Sequence, residues 1–237
     1  MRIDIITLFP EFFEGFVSHS IVGRAIKSEK LEIVTHNLRD YSNDKYKSVD
    51  DRPYGGGPGM VLKVDVLHRA LIDVKEKSSD HSPSDQQGSE LTDPKVILLT
   101  PQGQVYKQKT ALALAKETNL ILICGHYEGF DERIRDYVDL EISVGDYVLT
   151  GGEIPAMIVA DSVARLLPGV LGDDSSSHDE SYGEGLLEYP QYTRPEEYDG
   201  KQVPEILQGG NHKAIDAWRK EQSVLRTKTR RPDLLTE

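Results

Sequence analysis

Ser143–Ile154 reads SVGDYVLTGGEI. Two glycine-bearing turns, Gly145-Asp146 and Thr150-Gly151-Gly152, bracket a strand-like Tyr147-Val148-Leu149. A helix opens directly afterwards, with Pro155 in its first turn, where proline is tolerated. Backbone this permissive, used twice in so short a run, is what a chain needs where it must turn sharply or let another group approach. Two further stretches have the same character, LLTPQG at Leu98–Gly103 and CGHYEG at Cys124–Gly129, and each closes an apolar strand-like run. In parallel α/β sheets ligands sit beyond the carboxyl ends of the strands, where loops converge. Any one of these stretches alone reads as a tight turn. Three of them, on successive strands, point to a ligand pocket built mainly from backbone.

The rest of the chain supplies the sheet. Strand-like IDIITLF, LEIVTHN, KVILLT, NLILICG and LEISV alternate with helix-like segments. Val64–Lys77 carries apolar residues at 64, 67, 71 and 74, a helical stripe, and Tyr106–Glu117 and Ile154–Leu167 read similarly. This alternation predicts an α/β domain with a largely parallel sheet. Glu76–Asp93, rich in Ser, Asp, Gln and Gly, reads as a mobile surface loop. Gly172–Gly185 (GDDSSSHDESYGEG) is polar and acidic with no apolar periodicity. Beyond it, TRPEEYDG, VPEILQGG and NHKAIDAWRKEQSVLRTK predict a small, mainly helical module. The expected organisation is a large domain over 1–171, a flexible acidic linker over 172–188 and a helical domain over 189–237.

Composition narrows the class. The chain has 237 residues, 38% hydrophobic and 29% charged, as suits a globular protein with a substantial core. Apolar runs such as Leu120–Cys124 are far too short to span a bilayer, and Met1-Arg2-Ile3-Asp4 leads into a strand without a signal-peptide pattern. Cys124 is the single cysteine and lies inside ILIC, so it reads as a small buried hydrophobe. A reducing cytoplasm is the expected location. The net charge of −12 opposes general affinity for nucleic acid, but Lys213–Arg231 carries seven basic residues against Asp216 and Glu221. A local basic face is enough to hold a phosphate backbone, although a solvated helix would show the same pattern. GGGPGM near Gly55 is neither a dinucleotide fingerprint nor a Walker A sequence, and H-E-x-x-H, paired C-x-x-C and G-x-S-x-G are all missing.

Taken together, LLTPQG, CGHYEGFDERI, SVGDYVLTGGE, ARLLPGVLG, GLLEYPQYTRP and RRPDLL resemble the bacterial tRNA (guanine-N1)-methyltransferases of the knotted SPOUT superfamily. TLFPEFF and VDDRPYGGGPGM fit as well, so the likeness covers nearly the whole chain apart from Glu76–Asp93. The resemblance implies a parallel-sheet α/β domain with a deep trefoil knot, followed by a small helical tRNA-binding domain. General topology rules alone would have predicted an unknotted sheet. It also implies a cytoplasmic homodimer, with no membrane association and with active sites at the subunit interface. The methyl donor would be S-adenosyl-L-methionine, and the acceptor N1 of the guanine immediately 3′ of the anticodon in tRNA. The alternatives are a SPOUT enzyme acting on another RNA position, or a non-catalytic module binding RNA or S-adenosylmethionine.

By that resemblance Leu98, Leu99, Thr100 and Pro101 form one wall of the donor site, and Gly125, Tyr127, Glu128 and Gly129 a second. Val144, Gly145, Asp146, Tyr147, Val148 and Leu149 form the third, closed by Gly151 and Gly152. N1 of guanine is protonated and becomes nucleophilic only when a base takes the proton. The charge that develops on the neighbouring carbonyl suits a guanidinium. Arg165, in ARLLPG, holds the family's catalytic arginine position, although an i, i+4 pair with Asp161 is equally permitted. Relatives commonly read E-D-S-F ahead of the GLL motif, with the aspartate as general base. This chain reads DESYGEGLL, which aligns Glu180 with that position and leaves Asp179 as the alternative. Arg226, Lys228 and Arg230 are the expected phosphate contacts. Magnesium near a tRNA phosphate is chemically reasonable, but no ligand spacing supports a metal site.

Overall fold

The computed structural model describes residues 1–79, 93–171, 180–182 and 185–235. Asp179 and most of the Glu76–Asp93 and Gly172–Gly185 segments lie outside the described residues. The chain forms two compact units, Met1–Leu171 and Gly172–Glu237.

In the first unit the chain runs through β1 (Arg2–Thr7), α1 (Glu14–Ser18), α2 (Ser20–Lys27) and β2 (Glu32–Asn37). A short antiparallel pair, β3 (Asp50–Asp51) and β4 (Val61–Leu62), precedes α3 (Val64–Ser79). Then follow β5 (Lys95–Val105), α4 (Gln108–Leu114), β6 (Asn119–Cys124), β7 (Leu140–Ser143) and α5 (Glu153–Ala164). The five long strands make one sheet in the order β2-β1-β6-β5-β7, and every pairing in it is parallel.

Both faces of this sheet are covered, which is why its strands read as unbroken apolar runs instead of alternating ones. Ile3, Ile5, Ile97, Leu99, Leu120 and Leu122 pack on one side against Val22 and Ala25 of α2 and Ala156, Val159 and Val163 of α5. Ile6, Val96, Leu98, Ile121 and Ile123 face the other side, against Val66, Leu67, Leu71 and Val74 of α3. The helical stripe at 67, 71 and 74 is thus the buried face of α3.

One local expectation is corrected. Tyr147-Val148-Leu149 is not a strand: the segment is irregular, and Val148 is 85% exposed. β7 is an edge strand, the chain leaves it through Gly145 at φ +146°, and the stretch from there to α5 joins no ladder. β-favouring side chains cannot make a strand without a neighbour to pair with.

A buried ionic cluster fixes the other edge. Asp4 is fully buried on β1, and accepts from Arg2 Nε at 2.8 Å, from Arg2 Nη2 at 2.9 Å and from His36 Nε2 on β2 at 2.7 Å. Burial pushes the Asp4 carboxyl up, but the hydrogen bonds from His36 and Arg2 and the Arg2 charge outweigh it, leaving it below its ordinary value.

The second unit has a two-stranded antiparallel ribbon, β8 (Glu197–Tyr198) with β9 (Lys201–Gln202), then α6 (Glu205–Gln208) and the long α7 (His212–Arg230). Asn211 caps α7 by accepting from the Ala214 amide at 3.2 Å. Thr227, fully buried, accepts from Leu187 N at 2.9 Å and donates to Ser223 O at 2.7 Å, tying the GLLEYP segment to the helix.

Because the Asp4 carboxyl is depressed in the folded state, its contribution is complete above the ordinary carboxylate value of about 3.9. It is lost as pH falls through the lower native value. Asp4→Asn should therefore cost about 3 kcal/mol near pH 7, where it takes the carboxylate away from the buried Arg2 guanidinium. The difference should shrink as pH falls below the ordinary carboxylate range and the parent loses the same interaction. Urea unfolding of the two proteins at neutral pH and below that range checks this, and a difference independent of pH would contradict it.

Candidate functional site

Three adjacent strands, β6, β5 and β7, end side by side, and their loops enclose a cavity of about 320 Å³. The first wall arises from a break in the β5–β7 ladder. Leu99 lies opposite Ile142, and so does Gln104, so Thr100–Gly103 is looped out of the sheet. The loop can lie flat only because Gly103 has no side chain: a Cβ there would fall on the Glu141–Ile142 backbone.

The second wall, Gly125–Phe130, leaves β6 through Tyr127 at φ +59° and Gly129 at φ +123°. It is fastened from outside by the glycine-rich loop ahead of α3. Glu128 N donates to Met60 O at 3.0 Å, Leu62 N to Gly129 O at 2.9 Å, and Asp131 N to Leu62 O at 3.0 Å. This gives VDDRPYGGGPGM a structural purpose as a buttress for the cavity.

The third wall, Ser143–Gly152, is pinned at both ends. Ser143 Oγ accepts from Gly145 N at 3.3 Å, and Gly152 N donates to Gly125 O at 2.8 Å. Tyr147 folds back, its hydroxyl donating to Val144 O at 3.1 Å.

Leu99, Thr100, Pro101, Gly125, Tyr127, Glu128 and Gly129 line the cavity, as do Val144, Gly145, Tyr147, Val148, Leu149, Gly151 and Gly152. Two other sequence candidates do not. Leu98 is one residue out of phase, with its side chain in the core on the opposite sheet face, and Asp146 is not part of the lining. The lining also includes Gln102, His126, Phe130, Ser143, Thr150 and Pro155, all inside or beside the quoted motifs, and Glu132 and Arg135 from the end of CGHYEGFDERI. Arg135 is a cross-brace that motif reading missed. Its Nη2 donates to Gln102 Oε1 at 2.6 Å, its Nε meets Glu132 Oε2 at 2.9 Å, and its Nη1 bonds Glu141. One guanidinium, on the turn that follows the second wall, therefore joins the first wall to the edge strand. Cys124, at the end of β6, is buried, and burial, followed by the Glu153 charge, pushes its thiol well up, so it is no nucleophile.

The other candidates lie elsewhere. Arg165 is half-buried at the C-terminal end of α5, in the first unit. Glu180, also half-buried, belongs to the second unit, as do Arg226, Lys228 and Arg230 on the last turns of α7. Lys228 and Arg230 are exposed, whereas Arg226 directs Nη1 toward Glu188 O at 3.5 Å. Among the described residues no cluster of three or more His, Cys, Asp or Glu could hold a metal ion. No described helix is long and apolar enough to cross a membrane.

Comparison with known proteins places this geometry. The family model described as tRNA (Guanine-1)-methyltransferase TrmD matches residues 1–237. A tRNA (guanine-N(1)-)-methyltransferase of Staphylococcus aureus (strain JH9) is 50% identical over 238 residues, covering 99% of this chain and 91% of that protein. The protein of the same name from Staphylococcus carnosus (strain TM300) is also 50% identical, covering 100% of this chain and 91% of its own length. The chain belongs to the tRNA (guanine-1)-methyltransferase family.

The Gly152 contact generates a prediction. A Cβ there would lie 2.6 Å from both Cys124 Cα and Gly125 N, backbone atoms that cannot move without breaking the Gly152–Gly125 hydrogen bond. Gly152→Ala should lower stability by about 1–3 kcal/mol, the usual effect of overpacking. Gly209→Ala, in open space, should be nearly neutral. Thermal melts followed by circular dichroism distinguish them, and equal midpoints would refute the reading of this contact.

Proposed function

We propose, from that family membership, that this chain transfers a methyl group from S-adenosyl-L-methionine to N1 of guanine in tRNA, at the position immediately 3′ of the anticodon. The observation that carries the reading is the cavity at three parallel strand ends, in a chain half identical along its whole length to proteins named for this reaction. Its size falls in the range of small-molecule pockets, and glycines at 125, 145 and 151 line it without side chains of their own. These features fit an adenosyl group folded into a compact shape. The donor, when bound, supplies a methyl group already labile on a sulfonium centre.

The remaining work belongs to the chain. Glu180 takes the N1 proton of guanine, and Arg165 offsets the negative charge that spreads to the adjacent carbonyl oxygen. The cavity walls hold the donor aligned with the acceptor. The Ser143–Gly152 segment, whose end touches the Cys124–Gly125 backbone, is the part of the chain assigned to the knot. Val148, Ile154 and Ile158 are exposed apolar residues on and beside this wall, and support pairing of two copies across it. The 189–237 segment, with Lys228 and Arg230 exposed on α7, takes the tRNA backbone, and a cytoplasmic setting follows from the substrate.

The decisive experiment uses an unmodified tRNA transcript and labelled S-adenosylmethionine, with the modified nucleotide mapped. Label in N1-methylguanosine 3′ of the anticodon is the expected result; label elsewhere, or none, overturns the proposal. Glu180→Gln should reduce the rate by about 10²–10⁴-fold while donor and tRNA binding persist, and Asp179→Asn should cost much less. If Asp179→Asn is the inactive variant, the base is Asp179 and not Glu180.

Charge removal at Lys228 and Arg230 should weaken tRNA binding and reduce the slope of log affinity against log salt by about one to two. An unchanged slope, measured by filter binding across a salt series, would make that helix end a solvated surface.

A further inference from the structure

TLFPEFF lies outside the cavity lining, yet two of its residues reach the cavity from behind. Thr7, buried at the end of β1, donates from its hydroxyl to Glu153 Oε1 at 2.7 Å and accepts from Phe9 N at 3.0 Å. Glu153 opens α5 and is only 6% exposed. Its second oxygen lies over Gly151, where a Cβ would strike the carboxylate. His126 approaches the same place from the other side, with Nδ1 3.0 Å from that Cβ position, buried and without a hydrogen-bond partner among the described residues. The Phe9 ring holds the His126 ring edge-on at a centroid distance of 5.2 Å.

Gly151 and Gly152 have no side chains to fix their place, and glycine backbone is the least restricted of all. Their position as a cavity wall must therefore be imposed from outside. The Gly152–Gly125 hydrogen bond supplies one restraint. The buried Glu153 carboxylate supplies the other, since burying it without a bonded partner is costly and Thr7 provides that partner.

We propose that Glu153, held by the Thr7 hydroxyl, is a positioning residue for the methyl donor: it fixes the Gly151–Gly152 wall and the His126 side of the cavity without touching the donor. This rests on the reading of the cavity as the S-adenosylmethionine site.

The test compares the parent with Thr7→Val, Thr7→Ser and Glu153→Gln, measuring S-adenosylhomocysteine affinity by calorimetry and steady-state methylation of tRNA. Thr7→Val should raise the donor KM and the S-adenosylhomocysteine Kd about tenfold, the order of one hydrogen bond to a charged group, with kcat within about twofold. Thr7→Ser should restore both to within about twofold of the parent. Glu153→Gln keeps an acceptor for Thr7 but loses the charge, and should raise the donor KM about threefold. That variant carries the test if Thr7→Val does not fold. A folded Thr7→Val with the parent's donor KM and Kd, whatever its melting temperature, would make the pair merely structural. So would an unchanged donor KM in Glu153→Gln. A parent chain that binds no S-adenosylhomocysteine would instead remove the reading of the cavity, and the proposal with it.

Discussion

Much of the first unit depends on one backbone contact. The Gly152 amide reaches the Gly125 carbonyl at 2.8 Å, and the place a Gly152 Cβ would take is filled by the Cys124–Gly125 peptide. Two chain segments meet there at a distance that any side chain would forbid. Because they meet, the loop after β7 is drawn over the end of β6, α5 starts where it does, and the space left between the loops becomes a cavity. The Arg135 cross-brace and the glycine-rich loop before α3 work toward the same end, holding loops that would otherwise be free to open. The walls are thus held partly by contacts among lining residues and partly by Met60, Leu62 and Glu141 outside the lining, in keeping with sites that depend on supporting residues to hold geometry.

The sequence made the sheet and most of the lining legible, and the reasons for its failures are specific. KVILLT and NLILIC are apolar at every position because both faces of the sheet are covered, so the strands are easy to find. The same uniformity hides which residues face which way, and Leu98 was grouped with Leu99 although a one-residue step reverses the face. Tyr147-Val148-Leu149 has strand composition but no neighbouring strand, a fact available only from the topology. Gly103, Gly145 and Gly152 stood out because local chemistry announces glycine's role. Arg135 and the Thr7–Glu153 pair did not, because their partners are far away in sequence, or were read as part of a motif with a different purpose.

Charge is distributed to the same logic. The strongly acidic chain concentrates its buried charge where geometry must be held, as at Asp4 with Arg2 and His36, and leaves Lys228 and Arg230 of α7 exposed. Within the second unit Thr227 and Arg226 hold Leu187 and Glu188, so the last turns of α7 carry anchoring residues interleaved with the exposed cations Lys228 and Arg230.

The strand order also has a consequence for how the chain is made. β1 lies inside the sheet, between β2 and β6, but β6 begins only at Asn119. As the polypeptide leaves the ribosome, β1 and β2 emerge early and pair, while the other edge of β1 waits for its partner. An apolar strand with an open edge is a template for wrong pairing, and such long-range parallel sheets form slowly. The nascent chain therefore passes through an interval in which a buried interior strand is half-paired. That interval ends only when Cys124 has been synthesised, so the protein's exposure to aggregation is set by the pace of translation across its first half.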